Sequence, residues 1–122
     1  MRRFLGFLAV AVVLAVTLAS AGQNKSGVAD LQKITFLDPI RVGDTLLPQG
    51  NYEVRHVMEG ENHIMMFKQL GVNKPAVARV QCTLVQLKAK ADQTQKIYVL
   101  SANNERVLRE LIFRGDLSKH VF

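Results

Sequence analysis

From Tyr52 to Phe67 apolar and polar side chains alternate with a period of two, interrupted once by Glu59-Gly60-Glu61-Asn62. That pattern suits an antiparallel hairpin with one buried face and little else. Tyr52, Val54, His56 and Met58 fall on one face of the outgoing strand, with Glu53 and Arg55 on the other. Setting Met58 opposite His63 carries the buried face across the turn to His63, Met65 and Phe67. It also places Glu53 opposite Lys68, a favourable cross-strand pair. A slip of one residue would scatter polar groups over both faces, which a half-buried sheet resists. Ahead of the hairpin, Pro48 presets the first corner of a tight turn and Gly50 can supply a positive φ.

The rest of the chain repeats the theme. Runs at 31–37, 40–42, 76–89, 96–101 and 107–113 are separated by Asp38-Pro39, Gly43-Asp44, Gly71-Val72-Asn73-Lys74-Pro75, the polar loop 90–95 and Ala102-Asn103-Asn104-Glu105. Pro39 cannot donate to a ladder, so a strand stops there. The run 76–89 is long enough to require a bend or a bulge. The last run reads as a strand, with a short helix within 104–113 as the alternative. The expected fold is all-β: a small antiparallel sandwich or partly closed barrel of about six or seven strands.

The N-terminus carries a different signal. Arg2 and Arg3 precede an uncharged apolar run, Phe4 to Leu18, which ends in Ala19-Ser20-Ala21. Positive n-region, short h-region and small-residue site are the features of a secretory signal peptide. The run is shorter than the roughly 20 residues of a comfortable span. The expected organisation is therefore a signal peptide at 1–21, a flexible leader at 22–30 and one β-rich domain at 31–122, periplasmic or secreted, with no stable membrane span after cleavage. Residues 22–122 are near the common size of one domain. The net charge is +6, partly from Arg2 and Arg3, and the bases are dispersed. Nucleic-acid binding is accordingly not expected. The single cysteine, Cys82, lies inside an apolar run and reads as a buried thiol, or else as an intermolecular or reactive one.

No catalytic constellation stands out. Ser26, Ser101 and Ser118 lie in no nucleophile-elbow setting. Glu53, Glu59, Glu61 and Glu110 read as solvated charge, and no glycine-rich loop cradles a phosphate, so no cofactor is implied. Eight membrane-crossing strands, the minimum for an outer-membrane barrel, exceed what the runs provide. The one chemically suggestive group is His56, Met58, His63 and Met65 on a shared hairpin face, where imidazole and thioether donors suit copper. The same residues also fit a structural role, methionines filling core gaps and histidines lying at the sheet margin.

The stretch from Ile34 to Val54, with Leu47-Pro48-Gln49-Gly50-Asn51-Tyr52 at its end, resembles a family of small exported bacterial proteins marked by a Leu-Pro-x-Gly-x-Tyr turn before a strand. The resemblance extends through the following hairpin. It implies an exported sandwich or barrel-like domain and brings no catalytic residues. The functional expectation is a non-catalytic binding or interaction module with a protein or envelope partner, or alternatively a periplasmic copper- or metal-binding protein using the hairpin's His/Met face.

Overall fold

The computed structural model describes residues 27–122; the proposed signal peptide and residues 22–26 of the leader lie outside them. Nine strands occur among the described residues: β1 Leu31–Phe36, β2 Ile40–Val42, β3 Thr45–Leu47, β4 Gly50–Glu59, β5 Asn62–Gln69, β6 Val77–Gln86, β7 Gln95–Leu100, β8 Arg106–Ile112 and β9 Ser118–Val121. They hydrogen-bond in the order β1-β4-β5-β6-β9-β8-β2-β3, with β7 on the other edge of β8, and the sheet does not close on itself. The all-β expectation holds, with two or three more strands than the pattern suggested. The short β9 and the division of 40–47 into a two-strand hairpin account for the excess.

The β4–β5 hairpin has the expected register, with Met58 opposite His63 and Glu53 opposite Lys68. The 107–113 run is a strand, β8, and the helical alternative falls. The long run bends where it changes partner: Val77–Cys82 pair with β5, and Thr83–Gln86 pair with β9. β6 therefore belongs to two sheet segments and forms the corner between them. The β2–β3 hairpin, turning at Gly43 with φ +58°, closes over this corner, where a Cβ at Gly43 would sit 3.2 Å from the Val80 side chain. β2 pairs in parallel with β8, joining Ile40 to Arg106 although they lie far apart along the chain.

The core fills the inside of the curl. Phe36, Ile40, Leu47, Tyr52, Val54, Met65, Phe67, Leu108, Leu111 and Phe113 are all buried in one cluster. Tilted aromatic contacts join Phe36 to Tyr52 at 5.5 Å and Phe67 to Phe122 at 6.3 Å. The Pro48-x-Gly50-x-Tyr52 turn is tied back by its tyrosine, whose hydroxyl donates to the Pro48 carbonyl at 2.6 Å. The end of the expected leader, 27–30, is part of the domain. Val28 is fully buried, Leu117 N donates to Gly27 O, and His56 N donates to Asp30 O. The packed domain thus begins before Leu31, because Val28 has apolar surface to bury and its neighbours have backbone partners.

Candidate metal centre

The corner at β6 determines what gathers around it. His56 lies on β4, His63 on β5, Cys82 on β6 and His120 on β9, four adjacent strands of the sheet. The register sets Met58, His63 and Cys82 in one cross-strand row. His120 pairs with Leu84, two residues beyond Cys82 and so on the same face. All three histidines and the only cysteine of the chain meet here.

One donor atom from each of His56, Cys82 and His120 lies within 4.8 Å of the other two, and all three residues are buried. Cys82 Sγ is 3.7 Å from His120 Nδ1. His63 Nδ1 is 3.1 Å from His56 Nε2, with the two rings stacked at 5.1 Å between centroids. The His120 ring is tilted against His56 at 5.5 Å and meets Phe113 edge-on at 5.9 Å. Metal–imidazole bonds of about 2.0–2.1 Å and metal–thiolate bonds of about 2.3 Å set donor atoms roughly 3.5–4 Å apart. The Cys82–His120 spacing already matches, and the widest pair would close by about 1 Å.

Burial governs the protonation of the group. Burial, and next the neighbouring His56 and His63, push His120 down to about 4. His56 is also lowered, first by burial and then by His63, against an opposing pull from Asp30. The Cys82 thiol is pushed up to about 11 by burial. The imidazoles of His56 and His120 are thus neutral near pH 7, the form that ligates metals. The thiol is protonated until a cation displaces its proton. The same facts argue against a nucleophilic Cys82–His120 dyad. Thiolate is the nucleophile, its formation here is suppressed, and no substrate reaches a pair that is 5% and 1% exposed.

The structure treats the four sequence-predicted site residues differently. His56 and His63 come together. Met65 lies opposite His56 with its thioether in the core cluster. Met58 shares the face but is 51% exposed, next to the hairpin turn at Glu59-Gly60-Glu61-Asn62. Cys82 is buried, as its apolar run suggests, but its neighbour His120 was not foreseen. The alternation of Ser118 and His120 with Lys119 and Val121 was the available signal, in a segment short enough to pass as a tail.

A hollow between β1 and β7 is lined by Phe36, Leu37, Asp38, Ile40, Lys96, Tyr98 and Arg106. No helix among the described residues is long and apolar enough to cross a membrane. No protein-family model, curated protein or solved structure matches the chain.

Proposed function

We propose that this is an exported, non-catalytic binding domain and that it binds a soft or borderline transition-metal ion through His56, Cys82 and His120. The observation that supports this reading is the convergence of those three buried donors at the β6 corner. Imidazole and thiolate donors together suit Cu and Zn rather than Mg or Ca, which take oxygen. His63, hydrogen-bonded to His56, orients that imidazole as an outer-shell partner. The reading keeps His56 and His63 from the hairpin-face expectation and replaces its methionines with Cys82 and His120 as inner donors.

The test is titration of the reduced protein with Cu(I) and Zn(II), followed by calorimetry and thermal unfolding. One saturable site that raises Tm, and that is lost in Cys82→Ser and in His120→Phe, supports the reading. Absence of binding at micromolar metal refutes it.

A second reading, contact with another protein, is favoured by β7. This strand pairs only with β8, and Ile97, Tyr98, Val99 and Leu100 are all exposed. An apolar strand with an open edge is a template for an added strand. If that is its use, Val99→Lys abolishes partner capture while leaving metal binding intact.

A further inference from the structure

The cross-strand row Met58–His63–Cys82 gives the site a direction. Exposure falls along it from Met58, at the open hairpin end, through half-buried His63 to buried Cys82, with His56 4% exposed beside them. Directly opposed residues on an antiparallel pair have Cβ atoms about 4.5–5.5 Å apart, so each step between neighbours is short enough for an ion to pass from one donor to the next. The outermost donor is a thioether, a ligand that favours Cu(I) over harder divalent ions.

Charge balance points the same way. The three inner donors include one thiol and no carboxylate. When a metal ion bonds Cys82 Sγ, the thiol proton leaves to solvent and one thiolate remains; no electron is transferred. A monovalent ion then leaves the donor set neutral, whereas a divalent ion leaves it with a net positive charge beside Phe113 and the apolar core, on the His120 side away from the pull of Asp30 on His56. An unbalanced charge in such surroundings is costly.

We infer that Met58 and His63 form a capture port through which monovalent copper reaches His56, Cys82 and His120. The inference rests on the metal-binding reading above and adds the ion's valence and its route. Met58 belongs to the route and not to the final coordination set. His63 serves both, receiving the ion at the rim and orienting His56 afterwards.

The test is anaerobic, stopped-flow transfer of Cu(I) to the reduced protein from its bicinchoninate complex, with equilibrium competition alongside. Met58→Leu, an exposed substitution of similar size, is expected to slow transfer several-fold to about tenfold and to leave the equilibrium affinity within about twofold, since thioether capture affects rate and not the final donors. His63→Leu is expected to lower affinity by about 10–100-fold, the usual effect of removing an outer-shell partner. Zn(II) at equal concentration should not displace Cu(I). Transfer to Met58→Leu at the wild-type rate overturns the port while the metal-binding reading stands. Displacement of Cu(I) by Zn(II) overturns the assignment of valence. Failure of both metals to bind overturns both inferences.

Discussion

Two buried titrating groups of the domain make opposed contributions to stability, and two substitutions separate them. Folded His120 is held at about 4 against an ordinary value of 6.5. The unfolded chain therefore takes up a proton that the fold refuses. The associated stability is fully present above pH 6.5 and is lost as pH falls towards 4. That gap corresponds to about 3 kcal/mol. His56, also lowered, acts in the same direction. Asp116 acts in the other direction. Burial raises it from 3.8 to about 6, partly opposed by a hydrogen bond from the Ala29 backbone, and its Oδ2 has no hydrogen-bond partner. Its contribution is full below pH 3.8 and is lost as pH rises through about 6, again about 3 kcal/mol. In the wild-type protein the two largely cancel between pH 6 and 4.

Asp116→Asn removes the second contribution and should keep the Ala29 bond, because the amide oxygen still accepts. Its metal-free form is expected to lose about 3 kcal/mol more than wild type between pH 7 and 4. His120→Phe removes the first and should gain, relative to wild type, by a similar amount over the same interval. The assay is urea unfolding at half-unit pH steps in chelator, followed by far-ultraviolet circular dichroism, since the chain has no tryptophan. An Asp116→Asn profile parallel to wild type within about 0.5 kcal/mol would refute the argument that burial holds this carboxyl up. A parallel His120→Phe profile would likewise refute the burial of a neutral His120.

Other consequences are simpler to measure. Tyr52→Phe removes the hydroxyl that bonds Pro48 O and should cost about 0.5–1.5 kcal/mol in urea unfolding, with an unchanged m-value. Gly43→Ala forces a side chain into a left-handed turn and against Val80, so a loss of about 1–2 kcal/mol is expected from the same assay. Free copper at a hundred times its dissociation constant should stabilise the protein by about 2.7 kcal/mol, and Cys82→Ser should abolish that increment in thermal unfolding.

What the sequence made legible was local. The β4–β5 hairpin could be placed residue by residue because its alternation, its turn and the Glu53–Lys68 pair all specify one register. The strand at 106–112 could be read because its β-branched and apolar residues outweigh an accidental helical spacing. The parallel pairing of β2 with β8 left no local trace, since each three-residue β2 contact depends on a strand far along the chain. The site divided along the same line. His56 and His63 belong to one hairpin and could be brought together from the pattern alone. Joining Cys82 to His120 required the β6–β9 pairing, and the four residues of β9 are too few and too polar to announce a strand. The pattern puts Met58 on the right face, but which part of that face the core covers is set by tertiary packing, and at Met58 it is open.

The shared strand at the corner has a consequence for when the protein can act. β9 is the last strand along the described chain; it pairs with both β6 and β8 and carries His120. Until it docks, the corner has only its β5 side and the cluster lacks an imidazole, so a growing or partly folded chain has no complete site. Pairing of this non-local kind incurs its loop-closure entropy before its contacts offset it, and so forms slowly. On the binding reading, metal uptake becomes a report of completed folding, and a chain ended after Phe113 should leave the remaining donors unable to retain the ion.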